Sequence, residues 1–343
     1  MGPEIIDAAL PVIAKAALID NAHLQVDELD WGGERLLRTG AAMPADAIEV
    51  VRDHDAILLG AVGHPRLSPE VSVWSLVLSL RRGLDLYINV RPVRAWEHVS
   101  TPMRDVAGTD FVVVRENTEG EYSGVGGRVH VGSEAEVATE VAIHSRWAIT
   151  RVARYAFALA RERGQALTVV TKSNVSRYGY ALWDEVAQEI GAAEFPEVEL
   201  EIVFVDAMAA RMIERPRSLG VLLCSNLFGD ILSDLGSVLQ GGLGMVPSAN
   251  LSPDTQAPGI FEPVHGSAPD IAGKGIANPL AAILSGALLL RENGCPRAAS
   301  ALERAAIDSV ACADSRTPDV GGRASTKQAA AAVLDALEAA ILK

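Results

Sequence analysis

Ser225-Asn226-Leu227-Phe228-Gly229-Asp230-Ile231-Leu232-Ser233-Asp234 reads as the start of a helix launched from a strand. The residues before it, Val221–Ser225, form a short apolar run, and Leu227–Leu239 repeats its apolar residues at helical spacing. Asp230 and Asp234 are four apart, so on a helix both carboxylates leave one face about one turn apart. Two hard oxygen ligands at that spacing can share Mg²⁺ or Mn²⁺, with water and substrate oxygens completing the shell. A bare pair of this kind also describes a solvated acidic face. Here Leu227, Phe228, Ile231, Leu232 and Leu235 crowd it, and α/β proteins place their sites at the carboxyl ends of strands.

Outward from this run, short apolar stretches alternate with longer helical patterns. Ala56–Ala61, Leu86–Val93, Phe111–Arg115, Leu167–Thr171, Glu199–Val205 and Val221–Ser225 predict strands. Pro3–Leu18, Ser72–Arg82, Glu140–Arg163, Gly179–Ile190, Leu227–Leu239, Pro279–Arg291 and Ser325–Leu342 predict helices, with Pro3 suited to a first turn and Ser325-Thr326 offering caps. The order implies an α/β fold with a largely parallel sheet and some antiparallel pairing. At 343 residues the chain is long enough for two well-buried domains, and 49% apolar with 22% charged residues is a globular balance. A net charge of −14 argues against a nucleic-acid partner. The three scattered cysteines suit a reducing cytoplasm, and no apolar run reaches the ~18 residues that a membrane helix needs.

In so acidic a chain, clustered arginines stand out. Arg81-Arg82 closes a helix, Arg91 sits inside an apolar strand before Pro92, and Arg115 ends another strand. Guanidinium forks bind carboxylates bidentately, so a convergent set suits a substrate with two or more of them. Singly, each also fits a surface ion pair. Tyr122 and Lys172 follow strand ends and are candidate proton-transfer groups. The loop Glu262-Pro-Val-His265-Gly266-Ser267-Ala268-Pro-Asp270-Ile271-Ala-Gly273-Lys-Gly275-Ile-Ala-Asn278-Pro279 opens onto a helix, and its small residues let backbone approach a ligand. Asp270 could accept from ribose hydroxyls. The G-x-G-x-x-G dinucleotide fingerprint is absent.

N-L-F-G-D-I-L-S-D together with F-E-P-V-H-G-S-A-P-D-I-A-G-K-G-I-A-N-P resembles the isocitrate and isopropylmalate dehydrogenase family, the β-decarboxylating 2-hydroxy-acid dehydrogenases. The resemblance runs along essentially the whole chain. It implies a non-Rossmann two-domain fold, a mixed sheet flanked by helices, with a cofactor domain from residues 1–86 and 241–343 and a central domain from 87–240. It assigns substrate carboxylates to Arg81, Arg91 and Arg115, catalysis to Tyr122 and Lys172, and the metal to Asp206, Asp230 and Asp234. Lys172 and Asp206 reach the site from a neighbouring subunit in this family, which implies a homodimer with shared sites. His265, Gly266, Ser267, Ala268, Asp270, Ile271 and Asn278 correspond to cofactor-binding positions. Asp270-Ile271 stands where NADP-using relatives carry lysine and tyrosine, so NAD is the expected cofactor.

Substrate choice falls to the helix before Arg81. Isopropylmalate enzymes resemble one another in an acidic residue seven before the arginine, where this chain has Trp74. Isocitrate enzymes carry serine six before it, matched by Ser75, and asparagine four before it, unmatched by Val77. Trp74 with Asp30-Trp31-Gly32 and Glu116–Ser123 looks most like tartrate and D-malate dehydrogenases. D-malate with tartrate as a side substrate is the expectation, and 3-isopropylmalate the alternative. Isocitrate, a silent subunit of the same fold and a metal-dependent hydrolase without nicotinamide are weaker ones. Relatives begin with a strand and P-G-D-G-I-G-P-E, of which Gly2-Pro3-Glu4 remains. A truncated or misassigned start is the expectation, with stability and activity gained by restoring an upstream extension.

Overall fold

The computed structural model describes residues 1–341. Its strands are β1 Ala56–Leu58, β2 Ile88–Arg94, β3 Asp110–Glu116, β4 Gly120–Val129, β5 Val137–Ile143, β6 Leu167–Thr171, β7 Leu200–Phe204, β8 Val221–Cys224, β9 Pro247–Leu251 and β10 Gly259–Pro263. Its α-helices are α1 Gly2–Ala17, α2 Gly33–Thr39, α3 Ala47–Arg52, α4 Pro69–Ser72, α5 Leu78–Gly83, α6 Arg146–Arg163, α7 Gly179–Glu194, α8 Val205–Glu214, α9 Asn226–Gln240, α10 Leu280–Glu292, α11 Pro296–Ala311 and α12 Thr326–Ile341. Two compact units result, one from residues 1–86, 92–108 and 237–343, the other from 87–91 and 109–236.

In the first unit, β1 runs parallel to β10, and β10 antiparallel to β9. Beside them α1, α10, α11 and α12 share a core that includes Ile5, Val12, Ile13, Ile283, Leu290, Leu302, Val333 and Leu337. α10 is buried on almost every side, as an all-apolar helix must be. In the second unit, β3, β8, β6 and β7 pair in that order, all parallel. β6 and β8 are buried along their whole length, as inner strands of a parallel sheet are, and α6 and α7 pack on the sheet and on each other. α6 presents Ile149, Val152, Ala156, Phe157 and Ala160, one side of an amphipathic helix, and ends on Gly164 in the left-handed conformation.

All six expected strands form, each within a few residues of its expected bounds. Four strands and four helices went unforeseen: β4, β5, β9, β10, α2, α3, α8 and α11. One expectation is corrected. The helix proposed from Glu140 begins at Arg146, with the Ser145 hydroxyl accepting from the Ala148 amide at 3.1 Å, while residues up to Ile143 are strand. Val137-Ala-Thr-Glu-Val-Ala-Ile143 is β-branched at alternate positions and has no buried side to read as a helix face. Leu342, the expected last helical residue, lies outside the described residues. No helix among the described residues is long and apolar enough to cross a membrane.

β4 and β5 pair only with each other, as an antiparallel ribbon with a register shift between Gly120 and Val125. Val125, Val129, Val131, Val137, Val141 and Ile143 are exposed along it.

Candidate active site

The second unit gathers most of the expected catalytic groups. Arg115, at the end of β3, is buried, and its Nε and Nη2 donate to Asn226 Oδ1 at 2.9 and 2.6 Å while Nη1 donates to Asp230. Arg91, in β2, donates from Nη1 to Ser233 Oγ at 2.7 Å and from Nε to Asn89 Oδ1 at 2.7 Å. The same Nη1 lies 3.3 Å from Asp230 Oδ1 and 3.7 Å from Asp234 Oδ1. Tyr122 donates its hydroxyl proton to Asp230 Oδ2 at 2.6 Å, and its ring faces the Arg115 guanidinium. Asp230 and Asp234 occupy one face of α9, as their spacing predicted. Two buried guanidiniums thus face two carboxylates, Asp230 half-buried and Asp234 exposed, so solvent screens the attraction and discounts what removing a carboxylate costs.

Burial raises the Tyr122 pKa above its ordinary value, and the bond to Asp230 raises it further. The phenol keeps its proton, which suits a donor. Burial also raises the Asp234 carboxyl, with the Asp230 charge adding to the rise against Arg91 and Arg115. A carboxyl whose ionisation burial opposes, set beside the Asp230 carboxylate, fits a divalent cation, whose charge favours the ionised form. Among the described residues of one chain, no three of His, Cys, Asp and Glu come close enough to hold a metal.

Gly229 explains how α9 comes so near β3. A Cβ there would sit 2.6 Å from Arg115 Cβ and 2.7 Å from its Cγ. Gly229→Ala is expected to displace Arg115 and to cost about 1–3 kcal/mol of stability as overpacking does. Urea unfolding of the wild type and the variant checks it.

Lys172, just beyond β6, donates to Asp206 Oδ1 at 2.5 Å, and Asp206 lies in the first turn of α8. That bond holds the Asp206 carboxyl below the usual range.

The first unit carries the expected specificity residues and cofactor loop. Between α4 and α5 the chain makes a five-residue π-helical turn, Val73–Val77. The Leu78 amide bonds Val73 O, and the Ser79 hydroxyl donates to Trp74 O at 2.7 Å, both spanning five residues. The Trp74 indole lies 4.7 Å from the Arg82 guanidinium. Ser75 gives its hydroxyl proton to Val71 O at 2.5 Å, and Val77 is buried. Arg81 is also buried, donating from Nη2 to Glu262 Oε1 at 2.6 Å, an oxygen that accepts from Asn250 Nδ2 as well. One expected substrate ligand is therefore already paired to the start of the cofactor loop.

In that loop, Ala268 takes a positive φ of 38°, and its carbonyl accepts from the Ile271 and Ala272 amides at 3.1 Å. Ser267 lies against Gly63, where a Cβ would fall 2.4 Å from Ser267 Oγ. Gly266 has open space around its Cα, Asp270 is exposed, and Ile271 packs on the helical core. Burial lowers the His265 pKa. The Asn278 side chain is spent within the protein, Nδ2 donating to Asp319 Oδ2 at 3.0 Å and Oδ1 accepting from the Leu280 amide at 3.0 Å.

Asn89, Asn226, Ser233 and Glu262 were missed as parts of these networks. The signal for Asn89 and Glu262 was a polar residue inside an apolar strand, and Asn226 and Ser233 lie within the run that opened the reading.

The family model described as isocitrate/isopropylmalate dehydrogenase matches residues 1–335. The chain belongs to the isocitrate/isopropylmalate dehydrogenase family. As a member it is an oxidoreductase. A probable tartrate dehydrogenase/decarboxylase from Agrobacterium vitis is 45% identical over 98% of this chain and 95% of its own length. A 3-isopropylmalate dehydrogenase from Corynebacterium efficiens is 42% identical over 94% of this chain and 95% of its own. Among solved structures, isocitrate dehydrogenase from Methylococcus capsulatus superposes with a TM-score of 0.88 at 37% identity, over 98% of this chain and 96% of that one. The family's fold, a two-domain α/β architecture with a mixed sheet flanked by helices, is the one described above.

Proposed function

We propose that the chain catalyses oxidative decarboxylation of a small (R)-2-hydroxy dicarboxylic acid, D-malate with tartrate as a second substrate, using NAD and Mg²⁺ or Mn²⁺. The observation that carries this reading is the cluster of Arg91, Arg115, Tyr122, Asp230 and Asp234 in the second unit. Asp230 and Asp234 would hold the metal with Asp206 of a second copy, and residues 265–278 would hold the dinucleotide. Bound there, these groups supply Lewis-acid polarisation and a hydride acceptor.

The chain's own residues do the rest. Arg91 and Arg115 hold and orient the substrate carboxylates. Lys172, paired with Asp206, assists removal of the hydroxyl proton, which passes through a water or Asp206. Tyr122, which burial keeps protonated, hands its proton to the carbon from which CO₂ has left.

Three observations support the finer choices. Asp270 is exposed, and a carboxylate there would accept from ribose hydroxyls and repel a 2′-phosphate, favouring NAD. The Ser75 proton is committed to Val71 O and Val77 has no polar group, which leaves the Trp74 indole N–H as the donor of that turn and favours an acid with few further groups needing one. The exposed valines of the β4–β5 ribbon favour a second copy of this chain, because a two-stranded ribbon is marginal alone. 3-Isopropylmalate is the second reading, favoured by the 42% identical relative.

NADH formation with D-malate, the tartrates, 3-isopropylmalate and isocitrate, each with Mn²⁺ and Mg²⁺, tests the proposal. The highest kcat/KM is expected for D-malate or a tartrate, and NADP is expected to fall below NAD. A preference for 3-isopropylmalate or isocitrate overturns the substrate, and an NADP/NAD ratio above one overturns the cofactor.

A further inference from the structure

The loop after β10 is held from outside by carboxylates that the proposed reaction does not use. Its backbone is soft at Gly273 and Gly275, which take positive φ of 75° and 69°. Such a loop loses more freedom than most when it orders around a ligand. Yet it is tied down at four successive places. The Gly273 amide donates to Glu4 Oε2 at 3.1 Å. The Thr326 amide donates to Gly275 O at 2.9 Å, and the Thr326 hydroxyl to Ala277 O at 2.6 Å. Asn278 Nδ2 donates to Asp319 Oδ2.

Asp319 is the most constrained of these anchors. Its Oδ1 accepts from the Thr317 hydroxyl at 2.5 Å, so both oxygens are engaged. Gly244 lies against the pair, where a Cβ would fall 2.5 Å from Asp319 Oδ2 and 3.0 Å from Asn278 Cβ. Asn278 Nδ2 also lies 3.4 Å from Met245 Sδ. With Oδ1 accepting from the Leu280 amide, both polar atoms of the buried Asn278 side chain are turned to the protein. What residue 278 can offer is its backbone, and Asp319 fixes where that backbone lies.

We propose that Asp319, with Glu4 in a lesser role, is a positioning residue for dinucleotide binding: it holds the 264–279 loop in its binding shape without touching the nucleotide. This rests on the reading of that loop as the dinucleotide site. A loop held in its competent shape spares the bound state the cost of selecting it, so releasing an anchor lowers affinity by the fraction of time the loop strays.

The experiment measures NADH binding by fluorescence together with steady-state kinetics on the full-length wild type and on Asp319→Ala, Asp319→Asn, Thr317→Val and Glu4→Gln. For Asp319→Ala, NADH affinity is expected to fall ~10-fold, as when an outer-shell partner is lost, and KM for NAD to rise in step. Turnover at saturating NAD and KM for the acid should stay within about twofold on the same scale. Asp319→Asn should recover most of the affinity, because its carbonyl still accepts from Asn278 and its amide can donate to Thr317 Oγ. Thr317→Val and Glu4→Gln should show smaller losses of the same kind, and they carry the test if Asp319→Ala does not fold. Wild-type affinity in every variant overturns the proposal, and so does a loss shared equally by kcat and both KM values. If wild-type protein that turns over its acid fails to bind NADH, the reading of the loop falls, and the proposal with it.

Discussion

Replacing Asp230 with asparagine is expected to lower kcat/KM by ~10³-fold, because a divalent cation contributes several kcal/mol to stabilising the charge that develops on the substrate oxygens. Asp230 accepts from Tyr122 and Arg115 and lies within ion-pair range of Arg91. The substitution thus removes the proposed metal ligand and the counter-charge of two buried guanidiniums in one step. The two losses separate in the measurement. Added Mn²⁺ should raise the melting temperature of the wild type and leave that of Asp230→Asn unchanged. In the absence of metal the variant should already be less stable, since Arg115 is almost wholly buried and keeps its charge. A variant that keeps both its metal-induced shift and its turnover would remove Asp230 from the site.

Lys172→Met is expected to cut kcat by ~10³-fold, within the range that a positioned acid or base supplies, with KM for the acid little changed. Asp206→Asn should act on the same pair, so combining the two should cost little beyond the larger single loss. The more telling experiment mixes subunits. If Lys172 and Asp206 serve the neighbouring copy, a hybrid of Asp230→Asn and Lys172→Met chains carries one site with both defects and one with neither. Refolding the two inactive proteins together should then restore roughly a quarter of wild-type activity, half of one site per dimer on average, as an isologous pair requires. No recovery from a mixture shown to contain hybrids would place both residues at their own chain's site.

Much of the first half of this picture was legible in the sequence because it rests on short-range rules. Apolar runs gave β1, β2, β3, β6, β7 and β8, and a four-residue spacing put Asp230 and Asp234 on one face of α9. The β4–β5 ribbon was not legible: it has no buried side, so no periodicity marks it, and its second strand was absorbed into the helix that follows. α8 was missed because it starts at Val205, directly after β7, with no capping side chain to announce it. The pairing of Arg81 with Glu262 spans 181 residues, and that of Asn278 with Asp319 joins two loops. No local pattern encodes either. The resemblance supplied the identities of the site residues, while their partners emerged only from the fold.

The π-helical turn at Val73–Val77 bears on how acids are told apart within this lineage. A π turn amounts to one residue more than an α-helix would use over the same rise. Losing that residue would restore ordinary winding and leave the residues upstream on their present bearings, each one count nearer to Arg81. Counting backwards from Arg81 therefore compares positions, not directions: Trp74 can share a count with an acidic residue elsewhere and yet point along another bearing. A three-nucleotide deletion at this turn would renumber every upstream residue against Arg81 while turning none of them. Two such chains can carry the same side chain on the same bearing at different counts.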